Sequence, residues 1–173
     1  MDYPEELSPT CAEAFTLLTG EVVSLPKCRP KFAPWQGAVA FDTYGKKTVL
    51  DFCGEPVFAE LAILRVFERA GWNGVWVDTY RGRYRTAVEQ EVSLPVERHD
   101  LLQRIRRAAG ARGGCFDVFV WSSQRVVFAE SKRDGHDRVR PSQLRWLRAA
   151  LKSGLPRQSF LVVEWSLQDA DVV

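Results

Sequence analysis

A chain of 173 residues, 46% apolar and 27% charged, fits one ordinary domain that can bury a sizeable core. No apolar run approaches the ~18 residues that a membrane-spanning helix needs, so a membrane span is not expected. The net charge of +2 hides an asymmetry, because residues 81–148 carry 15 Lys and Arg against 8 Asp and Glu, a local balance of +7 that leaves −5 on the rest.

The opening "MDYPEELSPTCAEAF" is acidic and lacks the basic start and apolar stretch of a secretion signal, so a cytoplasmic location is expected. A helix is predicted around 9–19, followed by the proline-punctuated "LPKCRPKFAPW". "GAVAFDTYGKKTVLDFCG" alternates apolar and polar residues around Tyr44-Gly45-Lys46 and predicts a β-hairpin. Residues 1–54 thus read as an N-terminal extension packed on a core of residues 55–173. In that core, "GEPVFAELAILRVFERAGWNG" predicts a helix with Pro56 in its first turn and Gly71 just past its end. "VWVDTYRGRYRTAV" predicts two strands around Arg-Gly-Arg, and "RHDLLQRIRRAAGARGG" a basic helix stopped by glycines. "CFDVFVW" and "RVVFAESK" predict a hairpin joined by Ser122-Ser123-Gln124, then come a helix in "RPSQLRWLRAALKSG" and a last strand in "SFLVVEW". This order suits an α/β fold, a mixed central β-sheet flanked by helices.

Cys11, Cys28, Cys53 and Cys115 contain no CxxC, and with only His99 and His136 no zinc-ligand spacing can be assembled. Reduced thiols are expected. Of the 24 basic residues 18 are Arg, the side chain suited to bidentate phosphate contacts, so the basic middle points to a polyanion. Solvated helix faces would give the same count.

Four acidic or amide residues interrupt apolar patterns. Glu60 shares a helical face with Val57, Ile63, Leu64 and Phe67, either as a functional carboxylate or as a helix-edge residue whose head reaches water. Asp117 breaks the buried strand "CFDVFVW" near its beginning, as a functional group or as a strand-end cap after Gly113-Gly114. Glu130 and Lys132 point the same way at the end of an apolar strand, and could be an ion pair or a metal ligand beside a cation. Gln143 falls at the third helical position if Arg140 is the cap and Pro141 the first, so it either caps the helix or faces the sheet with Trp146 and Leu147.

Together, Asp117, Glu130-Ser131-Lys132 and the Gln143 helix resemble the PD-(D/E)XK nuclease superfamily, and more narrowly its VRR-Nuc branch. The resemblance is clearest over residues 113–165 and extends to about 56–165 with the Glu60 helix. It implies a restriction-endonuclease-like α/β/α core in which Glu60, Asp117, Glu130 and the Ser131 carbonyl hold Mg²⁺ or Mn²⁺. Lys132 would steady the nucleophile or the phosphate, and Gln143 would support the site. Phe116 stands where the motif has proline, Ser131 where an aliphatic residue is usual, and Arg140 where a Ser or Asp cap is expected. The loop from Arg133 to Arg138 is one residue longer than the family's glycine-rich loop.

The chemistry agrees with the resemblance. Hard divalent cations take carboxylate and carbonyl oxygens, and two buried carboxylates side by side are costly without a cation between them. The partner implied is DNA, in structured forms such as junctions or flaps, often cut by a homodimer, with DNA repair as the setting. Arg133, His136, Arg138, Arg140 and Arg145 are candidates for phosphate contacts, which Arg104, Arg106, Arg107 and Arg112 would extend. The alternative is a non-catalytic nucleic-acid-binding or interaction module that retains a nuclease fold.

Overall fold

The computed structural model describes residues 3–44, 47–110 and 113–168. Its centre is three strands whose sequences are nearly continuous apolar runs: β8 (Val118–Trp121), β9 (Val126–Arg133) and β10 (Phe160–Leu167). Such runs, without polar alternation, suit strands covered on both faces. β8 and β9 form the antiparallel hairpin the sequence predicts. β10 runs parallel to β9, with Val162 beside Glu130 and Glu164 beside Lys132. The parallel return requires a crossover, and α3 (Pro141–Lys152) supplies it.

β8 pairs in turn with β6 (Asn73–Asp78), which pairs with β7 (Arg83–Arg85), both antiparallel. On the other edge β10 meets β2 (Val22–Cys28) and β3 (Lys31–Pro34) in parallel. β3 leads antiparallel to β4 (Leu50–Phe52) and β5 (Glu55–Val57), and β2 carries β1 (Cys11–Thr16). The result is a mixed ten-stranded sheet.

Alternate residues of the central strands build two cores. Val118, Val120, Val127, Ala129, Leu161 and Val163 pack against α1 (Ala59–Arg69). Phe119, Phe128, Phe160 and Val162 face the opposite way, against Leu101, Leu102 and Ile105 of α2 (Val96–Ala109) and Trp146 and Leu147 of α3. Helices therefore cover both faces of the sheet, as expected for an α/β sandwich. No helix among the described residues is long and apolar enough to cross a membrane.

Three local expectations are corrected. The helix predicted around 9–19 is strand β1, because all six of its residues find partners on β2, from Cys11 opposite Lys27 to Thr16 opposite Val22. The alanines and glutamate there favour helix only weakly, and tertiary pairing overrides that preference. The hairpin predicted around Tyr44-Gly45-Lys46 is displaced: the turn is at Cys53-Gly54, between β4 and β5, while Gly45 and Lys46 lie outside the described residues. Pro56 belongs to β5 rather than to a helix. β5 is the outermost strand of its edge, where a residue without an N–H is tolerated, and α1 begins only at Ala59. The 54/55 boundary falls in the turn between β4 and β5, so residues before it contribute strands to the same sheet.

Candidate active site

The C-terminal part of β9, the segment entering β8 and the first turns of α1 and α3 meet at one cleft of about 460 Å³. It is lined by Glu60, Asp117, Glu130, Ser131, Lys132 and Gln143, so the structure brings together every residue expected to hold or support a metal. Chain folding explains the convergence. Apolar alternation fixes the face of β9, and Glu130 and Lys132 continue the row begun by Val126 and Phe128 towards α3. Trp146, fully buried against Phe128 with ring centroids 4.8 Å apart, turns the same face of α3, and with it Gln143, onto that row.

Gly114 sets the distance between the Asp117 segment and α3. Its backbone lies so close to the helix that a Cβ would come within 2.2 Å of the Ser142 carbonyl oxygen, and its φ of +95° is left-handed. Only glycine allows this approach.

Glu130 is completely buried, yet only half satisfied. Its Oε1 accepts hydrogen bonds from both Lys132 Nζ and Gln143 Nε2, whereas its Oε2 is buried without a hydrogen-bond partner. The two readings of Glu130 and Lys132 left open by the sequence are therefore compatible. An ion pair uses one oxygen, and the other remains for a ligand. Gln143 likewise does both things open to it, because its Oε1 accepts the Arg140 N–H at 2.8 Å and closes the start of α3. Asp117 is half-buried just before β8, and its Oδ2 accepts the Ser131 N–H at 3.0 Å.

Ser131 lies on the opposite face of β9 from Glu130. Its hydroxyl accepts the Trp165 indole N–H at 3.0 Å, which accounts for a polar residue in an otherwise apolar row.

The electrostatics are those of carboxylates short of positive charge. Burial raises Asp117 to about 6, and the neighbouring Glu60 adds to the rise; Lys132, the Ser131 N–H and Lys47 oppose it. Burial, then Asp117, pushes Glu130 well above the usual carboxylate range against the pull of Lys132 and Gln143. A cation between the two would relieve both effects.

The donor chemistry fits a hard divalent ion. Among the described residues no three His, Cys, Asp or Glu side chains form a ready cage. Mg²⁺, however, binds through one or two carboxylates and keeps several waters. The unpartnered Glu130 Oε2 beside Asp117 supplies such a pair, with Glu60 and the Ser131 carbonyl as further oxygen donors.

Sequence reasoning missed Lys47. It reaches the cleft from the segment before β4, with Nζ 2.5 Å from Glu60 Oε1 and 5.4 and 5.2 Å from the ring centres of Phe58 and Trp76. In the alternating run around it a lysine reads as an ordinary hairpin residue, whereas in the structure Lys47 belongs to no strand or helix. Thr48 lines the cleft too, accepting a hydrogen bond from Arg133 Nη1 at 3.0 Å.

The expected phosphate contacts divide. Arg133, His136 and Arg140 line the cleft. Arg138 lines an adjoining hollow with Glu13 and Glu164. Arg145 lines neither; it borders a separate hollow with Leu18 and Ala108. Arg106 and Arg107 line a hollow on the far side of Thr79, Arg104 is exposed on α2, and Arg112 lies outside the described residues.

No protein-family model matches the chain, and neither a curated protein nor a solved structure matches it.

Proposed function

We propose that the chain is a divalent-metal-dependent nuclease of the PD-(D/E)XK kind, close to the VRR-Nuc branch, that hydrolyses phosphodiester bonds in DNA. The observation that carries this reading is the buried, unpartnered Glu130 Oε2, set beside a raised Asp117 carboxyl and the Lys132 ammonium at the wall of an open polar cleft. An ion pair alone leaves the second Glu130 oxygen buried and unsatisfied, a cost that a bound cation would remove.

Mg²⁺ or Mn²⁺ held by Asp117, Glu130, the Ser131 carbonyl and Glu60 would supply an acidified water and a counter-charge for the phosphate. Lys132 holds a positive charge where a phosphate oxygen or the attacking water approaches, and Glu130 and the β9 backbone fix its position. Gln143 keeps Glu130 Oε1 occupied, which leaves Oε2 as the oxygen that would hold the metal. Arg133, His136 and Arg140 stand at the cleft for neighbouring phosphates.

The test is cleavage of labelled single-stranded, duplex, flap and four-way-junction DNAs with Mg²⁺, Mn²⁺ or EDTA. Cutting in either metal, abolished by EDTA, is expected. No cutting of any DNA over a wide range of protein concentration would replace the reading with a non-catalytic binding module.

A further inference from the structure

Beside the cleft lies a hollow of about 720 Å³ between the β6–β7 turn and the C-terminal half of α2. Thr79 lines both, so the two are neighbours on the same surface. At the tip of the turn Tyr80 is 96% exposed, a bare aromatic ring at the mouth of the hollow. Arg81, Gln103, Arg106 and Arg107 also line it, and among the described residues no carboxylate takes part.

The turn that presents Tyr80 is tied to the sheet. The Arg81 N–H donates to Asp78 Oδ1 at 3.2 Å, and Asp78 is itself buried in an ion pair with Arg85 at 3.3 Å. Gly82 closes the turn with a φ of +67°.

Across the hollow, the Arg106 guanidinium packs 5.8 Å from the Tyr84 ring centre, and its Nε is buried without a partner. Neither Arg106 nor Arg107 forms an ion pair among the described residues. A single exposed ring next to unpaired guanidinium groups suits a base with its π-face free and a phosphate attached. A base stacked inside a duplex cannot offer that face.

We propose that this hollow holds an unpaired nucleotide of the strand that runs into the cleft, its base stacked on Tyr80 and its phosphate held by Arg106 and Arg107. The inference rests on the nuclease reading, and it narrows the substrate to duplexes that carry a single-stranded arm. Ring stacking and phosphate contacts read no base edge, so the arm's sequence does not matter.

The test is binding of the full chain, in EDTA and again in Ca²⁺, to a labelled duplex with an arm of about ten nucleotides and to the same duplex with blunt ends. Tyr80→Ala is expected to weaken binding of the armed duplex about tenfold, the loss of roughly one stacked base. Blunt-duplex binding should change less than about twofold, and Tyr80→Phe should retain full binding. Arg106→Gln with Arg107→Gln should weaken the armed duplex and lessen its salt dependence.

Equal weakening of both duplexes by Tyr80→Ala, no weakening of either, or no DNA binding in either buffer overturns the proposal. The nuclease reading fails separately. Tyr80-dependent binding of the arm without any metal-dependent cutting would keep the hollow and remove the nuclease. Metal-dependent cutting with no arm preference in binding would do the reverse.

Discussion

Gln143 joins α3 to β9 by a single side chain: its Nε2 donates to Glu130 Oε1 while its Oε1 accepts the Arg140 N–H. Replacing it with Leu removes both bonds and leaves the Arg140 N–H and part of Glu130 unsatisfied. Gln143→Leu should lower stability by about 2 kcal/mol in metal-free urea unfolding. Gln143→Glu, which sets another carboxylate against Glu130, should cost more in the same measurement. Equal stability of all three proteins would mean that the bonds contribute nothing.

Asp117 gives a pH-dependent prediction. Its folded value of about 6 lies above the ordinary 3.8, so the folded protein binds the proton more tightly than the unfolded chain does. Stability of the metal-free protein is therefore lost as pH rises from about 4 to about 6, and the full penalty remains above that window. Asp117→Asn, neutral at every pH and still able to accept the Ser131 N–H, should stabilise the metal-free protein at pH 7.5 by on the order of 2 kcal/mol, read as a higher Tm. At pH 4 the gain should vanish. A structural aspartate paired with arginine would give the opposite result, a loss at pH 7.5.

Much of this site was legible in the sequence, because Asp117, Glu130, Lys132 and Gln143 interrupt patterns whose faces are fixed by strand and helix periodicity. Glu60 was legible for the same reason on α1. Lys47 was not, since it sits in a run that reads as an ordinary hairpin, and its partner Glu60 lies 13 residues on, in the first turn of α1. Strand β1 was misread because Ala12, Glu13 and Ala14 favour helix locally, while the β2 partner that decides the matter lies beyond the turn at Gly20. The buried pair of Asp78 and Arg85 escaped notice in a run that reads as an ordinary polar hairpin.

Lys47 offers a further prediction. It lowers Asp117 while pairing with Glu60, so its removal should raise Asp117 further and favour the bound proton over a metal. Lys47→Met is expected to move the pH midpoint of Mg²⁺ binding upward, as followed by calorimetry across pH 5 to 8. An unchanged midpoint would place Lys47 outside the electrostatics of the site.

The N-terminal strands are held by a second charge cluster. Lys27, only 6% exposed, pairs with Glu13 at 2.8 Å and with Glu164 at 2.7 Å, and Arg29 reaches Glu164 at 2.8 Å. Burial alone would raise Glu164, but the hydrogen bonds from Lys27 and Arg29 outweigh it and hold its carboxyl below the usual range. Lys27→Ala should destabilise the protein by about 3 kcal/mol at neutral pH, since Glu13 loses its partner and Glu164 keeps only Arg29. A carboxyl lowered on folding stabilises the fold above its unfolded value, and that stabilisation is lost as pH falls. The gap between wild type and Lys27→Ala should therefore narrow under acid. Replacing Lys27 by Met together with Glu164 by Gln should recover part of the loss, and a denaturant series at two pH values checks both outcomes.

Lys132 is the side chain whose loss bears most directly on cleavage. Single-turnover cleavage of the best-cut DNA, with saturating Mg²⁺, should compare wild type with an identically purified Lys132→Ala protein. A loss of about 100-fold or more in rate, with the metal-free fold intact by thermal melt, is the predicted result. Equal rates in the two preparations would assign the cutting to a contaminant and contradict the nuclease reading.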